Sequence, residues 1–247
     1  MSAVLEVSGL CKEYPKFKLE NVSFRLEKGE IMGFIGRNGA GKTTTIKAML
    51  NLISRSAGDI KYFGLDLDSR EREIKGRVGY AGGAVDYYKK KKIASIMKVT
   101  KRFYPGWDEG EYRKYMKLFE LDEEKTPSEL SEGMKVKLNL AAALSHGAEL
   151  LILDEPTSGL DPVSRGELLE IFSYLARQGK AIFFSTHITT DIEKCADSIT
   201  YIREGRIAAT GPLAQFMQSE KAAGRGERLE DIMLSYEKEA LHEKFAD

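Results

Sequence analysis

The stretch "IMGFIGRNGAGKTTTIKAMLNLI" constrains this chain more than any other. Its apolar start, "IMGFIG", reads as a central parallel strand covered on both faces. Next comes "GRNGAGKT", which fits G-x-x-x-x-G-K-[ST] between a strand and a helix. Glycines there let backbone N–H groups wrap a phosphate, and the helix start adds a favourable field. Asn38, Gly39, Ala40, Gly41, Lys42, Thr43 and Thr44 form this candidate cradle. In it Lys42 would reach β- and γ-phosphates and the Thr43 hydroxyl would hold Mg²⁺. Ile46, Met49, Leu50 and Ile53 recur at helical spacing, so the helix is expected to carry all four.

The rest of the chain alternates in the same style. "NVSFRLEKGE" places Val22, Phe24 and Leu26 on one face, the mark of a half-buried strand. From 86 to 144 strand patterns vanish, and "EYRKYMKLFEL" repeats Tyr112, Tyr115, Met116 and Phe119 with helical period. Strands return in "ELLILDEP" and "KAIFFSTH", with the helical "PVSRGELLEIFSYLARQG" between them, which implies βαβ units and a parallel sheet. "SITYIREGRIAATG" is a hairpin turning at Glu204-Gly205. The expected organisation is an α/β core from 1–85 and 145–215, an inserted helical lobe at 86–144, and a helical tail at 216–247.

Two acids close the apolar run "LLILDEP". A buried strand ending in Asp154 puts that carboxylate at the sheet's carboxyl edge beside the loop, where it can bind Mg²⁺ through water. Glu155 follows and is the candidate general base for an attacking water. Adjacent acids can also be a solvated turn, but a phosphate loop in the same chain favours the chemical role. His187, in "FFSTHITTD", follows another apolar strand and could hydrogen-bond a γ-phosphate. Chemistry alone leaves that role and a structural one equally open. His146 has no such position and reads as structural.

Lys+Arg and Asp+Glu both number 38, so no basic footprint for nucleic acid is present. Cys11 and Cys195 make neither a disulfide framework nor a metal pattern, as expected in a reducing compartment. No apolar run approaches the roughly 20 residues that span a bilayer, and the start has no export-signal pattern. A cytoplasmic chain is therefore expected, reaching a membrane only by docking.

Together these motifs resemble the nucleotide-binding subunit of an ATP-binding cassette (ABC) transporter, along nearly the whole chain. Walker A lies at 36–44, the signature is "LSEGM", Walker B lies at 150–155, the D-loop is "SGLD" at 158–161, and His187 matches the switch histidine. The resemblance implies a P-loop NTPase (RecA-like) core with a parallel sheet, an N-terminal antiparallel β subdomain and an inserted α-helical subdomain. It implies ATP and Mg²⁺ as ligands, ATP hydrolysis, Tyr14 stacking on adenine, and an integral membrane partner. It also implies a head-to-tail dimer, of like or unlike chains, in which Ser131 and Gly133 cap the γ-phosphate held by the other subunit. That would explain a serine-capped helix start lacking any catalytic lysine or general base nearby. The branch it resembles is a bacterial exporter.

Departures from the pattern matter. Glu132 and Met134 stand where the family has glycine and glutamine, and Glu132 should weaken closure unless its side chain points outward or pairs with a basic residue. The family's Mg²⁺-contacting glutamine aligns with Gly83, with Asp86 as a possible stand-in. A hydrolysis-impaired regulatory subunit is one alternative. A soluble ABC ATPase acting on nucleic acid or the ribosome is another, though its long coiled coil or second cassette is absent. Lys89, Lys90, Lys91 and Lys92 open the helical lobe and either contact acidic lipid or partner loops, or are simply solvated.

Overall fold

The computed structural model describes residues 3–82 and 88–246. In chain order the elements begin with β1 (Ala3–Tyr14), β2 (Phe17–Glu27), β3 (Ile31–Ile35), α1 (Lys42–Met49), β4 (Ala57–Tyr62), β5 (Leu65–Asp66), α2 (Leu67–Arg77) and β6 (Val78–Gly82). The helices α3 (Ile93–Thr100), α4 (Glu109–Leu118) and α5 (Glu132–Ser145) follow. The chain then runs through β7 (Leu150–Asp154), α6 (Pro162–Arg177), β8 (Ala181–Thr186), α7 (Thr189–Cys195), β9 (Ser198–Arg203), β10 (Arg206–Pro212), α8 (Leu213–Ala222) and α9 (Leu229–Ala246).

Two sheets result. One is antiparallel, in the order β2-β1-β4-β5; the other runs β10-β9-β3-β8-β7-β6 and is parallel except for β10. The central parallel strands β3, β7 and β8 are buried along their whole length because both faces are covered. Met32, Phe34, Ile152 and Phe183 pack toward the antiparallel sheet and α1, whereas Ile35, Leu153 and Phe184 pack toward the helical lobe. Phe183 lies 5.5 Å from Phe24 and 5.2 Å from Phe34, which ties the two sheets together. Burying a side chain of this size stabilises by roughly 1.5–3 kcal/mol.

Local chemistry explains where the sequence expectations hold and where they shift. In β2, Val22, Phe24 and Leu26 are buried as expected, but Leu19 is buried out of phase with them. Asn21, at φ 52, absorbs the extra residue, and the register with β1 slips between Leu10 and Lys12. The α1 helix is shorter than its apolar spacing suggested and excludes Ile53. Asn51 takes φ 55, and the Leu52 N–H bonds the Lys47 carbonyl at 2.9 Å, so an asparagine closes the helix in the left-handed region. The hairpin turns at Glu204 (φ 48) and Gly205 (φ 80). In α4, Tyr112, Tyr115 and Met116 face inward, and Asp108 caps the start by accepting from Gly110 and Glu111 N–H. The tail is helical, but α8 starts at Leu213, ahead of Phe216. Among the described residues no helix is long and apolar enough to cross a membrane.

Candidate active site

The phosphate loop is shaped by what its glycines avoid. A Cβ on Gly36 would stand 2.4 Å from the Ile202 carbonyl oxygen. One on Gly41, at φ 115, would stand 2.7 Å from Leu19 Cδ2 and 2.9 Å from Phe17 Cζ. The loop is also braced from outside, because the hairpin residue Gly205 donates its N–H to the Ala40 carbonyl at 2.9 Å. Gly41 is the N-cap of α1 and supplies no side-chain cap, so the first-turn N–H groups keep their capacity to bind an anion. Thr43 is exposed, Thr44 half-buried, and Asn38 and Gly39 exposed at the rim.

Lys42 is only 6% exposed. Its ammonium donates to the carbonyls of Gly36 at 2.6 Å and Arg37 at 3.3 Å, and pairs with Glu155 Oε1 at 3.1 Å. The other Glu155 oxygen, Oε2, is 2.8 Å from His187 Nδ1. The three residues expected to carry catalysis are therefore joined at the carboxyl ends of β3, β7 and β8. Glu155 reaches both partners from a left-handed backbone, φ 52, which is uncommon for a non-glycine residue and is held by its neighbours. Its N–H donates to the Ser185 carbonyl at 3.2 Å and lies 3.0 Å from Ser185 Oγ. That hydroxyl donates in turn to Asp154 Oδ1 at 2.6 Å.

Ser185 was not singled out in the sequence, although a serine closing an apolar strand is a legible signal. Thr157 and Asp191 were also missed. They are fully buried and joined at 2.6 Å, linking the loop after β7 to α7, and nothing in local sequence pairs them.

Asp154 is buried and Thr43 exposed in the first turn of α1. A carboxylate plus a hydroxyl is a hard-oxygen pair that suits Mg²⁺ sharing phosphate ligands. No group of three or more His, Cys, Asp or Glu that could hold a metal alone occurs among the described residues.

The "LSEGM" end is built differently. Ser131 is the N-cap of α5 and accepts from the Met134 N–H at 3.2 Å. Among the described residues it makes no hydrogen bond with Lys42, Asp154, Glu155 or His187. Gly133 is buried, yet a Cβ there would meet nothing closer than Leu160 Cδ2 at 3.6 Å. Glu132 has the basic partner its position required, Lys135 at 2.6 Å. A cavity of about 270 Å³ brings Glu132 and Asn139 beside Asp154, Glu155 and Ser158. Asp161 caps α6, accepting from Val163 and Ser164 N–H, and the Ser164 hydroxyl and N–H hold its carboxyl below the usual range.

Tyr14 ends β1, 40% exposed, with Lys12 Nζ 5.1 Å from its ring centre. Gly83 and Asp86 lie outside the described residues. His146 stacks on Tyr104 at 4.0 Å, and its Nδ1 lies 3.2 Å from the Gly76 carbonyl; burial lowers its pKa. Both cysteines are free, and burial pushes the Cys195 thiol up to about 12. Lys92 pairs with Glu124 at 2.6 Å.

A glycine-rich loop between a central parallel strand and a helix, facing acids on the next strands, defines a phosphate-loop nucleotide-binding fold. The chain belongs to the ABC transporter family, whose model matches residues 19–158, and is an ATP-binding subunit of that family. It is similar to the bacitracin transport ATP-binding protein BcrA of Bacillus licheniformis, 34% identical over 84% of this chain and 69% of that one. The Nod factor export ATP-binding protein I of Burkholderia lata is 35% identical over 83% of this chain and 69% of its own length. Among solved structures, an ATP-binding subunit of an ABC transporter superposes with a TM-score of 0.83 at 30% identity, covering 94% of this chain and 98% of that one. Membership carries ATP binding and hydrolysis, dimer formation and membrane partners as family properties.

Proposed function

We propose that this chain hydrolyses Mg·ATP at a site completed by a second nucleotide-binding subunit, and so drives export through a separate membrane subunit. The observation that carries the reading is the chain of contacts from Lys42 through Glu155 to His187, 3.1 Å and 2.8 Å long. Asn38, Gly39, Ala40, Gly41 and Thr44 wrap the phosphates, and Lys42 neutralises them. Tyr14 stacks on the adenine. Thr43 and Asp154 would hold Mg²⁺, which would supply charge neutralisation for the phosphates. Glu155 takes a proton from the attacking water, and His187 orients the Glu155 carboxylate and senses the γ-phosphate. Ser131 and Gly133 of the other subunit close the far side.

We infer a surface for the membrane partner as well. A groove of about 930 Å³ lies between α2 and the turn before α4, where Arg70, Lys75 and Arg77 face Tyr104 and an exposed Phe103. Glu71 and Glu73 line it too, paired with Lys75 and Arg70, so apolar groups ringed by ion pairs offer a mixed surface to a cytoplasmic segment of a membrane protein. On this reading the chain works at the inner face of the cell membrane, cytoplasmic and held by its partner. Its three parts are the ATP-binding core of 1–85 and 145–215, the signature lobe of 86–144 and the tail of 216–247. The resemblance to export and transport subunits supports the direction.

Glu155→Gln tests the chemistry. It should keep ATP binding, accumulate ATP-bound dimers and lower turnover by about 10²–10⁴-fold, the range a general base contributes. Steady-state hydrolysis and size-exclusion chromatography with ATP read both effects, and undiminished hydrolysis would remove Glu155 from the role.

A further inference from the structure

The C-terminal helix α9 reaches the phosphate loop, and no role assigned above uses that contact. Leu229 and Ile232 are fully buried at its start, and the Leu229 N–H donates to Glu193 of α7 at 2.6 Å. Further along, Arg203 of β9 donates to the Tyr236 carbonyl at 2.9 Å, and the Tyr236 ring meets Tyr201 edge-on at 5.6 Å. These contacts fix the position of Glu237. Its Oε1 accepts from the Tyr201 hydroxyl at 3.1 Å, and its Oε2 pairs with Arg37 Nη1 at 3.0 Å.

Arg37 belongs to the phosphate loop itself. Its carbonyl accepts from Lys42 Nζ at 3.3 Å and from the Ala40 N–H at 3.1 Å. Its side chain and Glu237 border a cavity of about 250 Å³ against Asn38, Gly39 and Ala40. The two partners are unequally held. The Arg37 side chain is 73% exposed and Glu237 25%, while Tyr201 behind the carboxylate is 1% exposed. So the carboxylate is fixed and the guanidinium is loose. An ion pair this wet contributes little, and a polyanion beside it can draw the arginine away.

We propose that Arg37 is a second cation for the nucleotide's polyphosphate, beside Lys42, and that Glu237 of α9 withholds it until phosphate competes. The tail helix then sets the affinity of a loop from which it is distant in sequence. This rests on the reading that the loop takes ATP.

The experiment measures equilibrium binding of a ribose-labelled fluorescent ATP to the full chain with Mg²⁺. Glu237→Gln keeps an acceptor for Tyr201 and nearly the same shape but loses the charge. It should tighten binding about two- to five-fold at low salt, and about 0.5 M salt should erase the gain. Arg37→Gln, at an exposed side chain on which the fold does not depend, should weaken binding to a similar degree. The double variant should match Arg37→Gln alone. Unchanged or weaker binding by Glu237→Gln overturns the proposal, and so does a gain that persists in the double variant. A merely structural role for α9 would weaken binding whether or not Arg37 is present. If Lys42→Ala binds ATP as well as the parent chain, the nucleotide reading falls and this inference with it.

Discussion

Two helix starts, those of α1 and α5, each meet a phosphate on the proposed reading, and they are built in opposite ways. At α1 the cap is Gly41, which offers no side chain, and the buried Lys42 stands in the first turn within 3.1 Å of Glu155. At α5 the cap is Ser131, which satisfies the Met134 N–H itself, and the nearby charges cancel in the Glu132–Lys135 pair. The first start has a cation and a carboxylate bonded to each other; the second has a capped turn whose Glu132 only borders the cavity that Asp154 and Glu155 line. The difference teaches that shape and dipole make a place for phosphate, whereas chemistry needs groups from other strands.

The largest effect expected separates the two starts by chain. Lys42→Ala and Ser131→Arg should each lower turnover by about 10²-fold or more, the scale of losing a key electrostatic contact. Mixing the two inactive chains should recover part of the activity, because one intact composite site can form. A mixture that stays inactive while mixed dimers are seen by native mass spectrometry breaks the idea that the starts serve one ligand from two chains.

Next come the glycines. Gly41→Ala forces a Cβ into Leu19 and Phe17 at a left-handed position and should cost about 1–3 kcal/mol in stability, read as a lower melting temperature. Gly133→Ala has room, so melting should change by less than about 0.5 kcal/mol while turnover drops. Equal losses of stability would erase the distinction between a glycine needed for folding and one needed for function.

The smallest effect concerns a third helix start, α6, capped by a carboxylate. Asp161 has its folded pKa lowered, chiefly by the Ser164 hydroxyl, so its contribution is present above the unfolded pKa and lost as pH falls through the folded one. Asp161→Asn, still able to cap, should flatten the stability profile between about pH 5 and pH 3. An identical acid profile in the variant would take Asp161 out of the account.

Much of this was legible in the sequence because it is local. The loop motif, the two-sided apolar strands and the stripe of Tyr112, Tyr115, Met116 and Phe119 each encode themselves within a few turns or strand positions. Glu132 and Lys135 are three residues apart on a helix, so their pairing is local as well. What stayed hidden is contact between distant segments. Glu155 was assigned as a base without its bond to Lys42, and Glu237 meets Arg37 only because α9 folds back over β9. The end of α1 escaped for another reason. Apolar spacing continues to Ile53, but a single asparagine able to adopt φ 55 stops the helix first.

The double engagement of Glu155 has one more outcome. With Oε1 on Lys42 and Oε2 near His187, the carboxylate has little freedom to strip a proton from bulk water. The ammonium that occupies it is the same group a triphosphate attracts. On the proposed reading, arrival of a triphosphate would free the carboxylate that serves as base, a safety catch released by the cartridge.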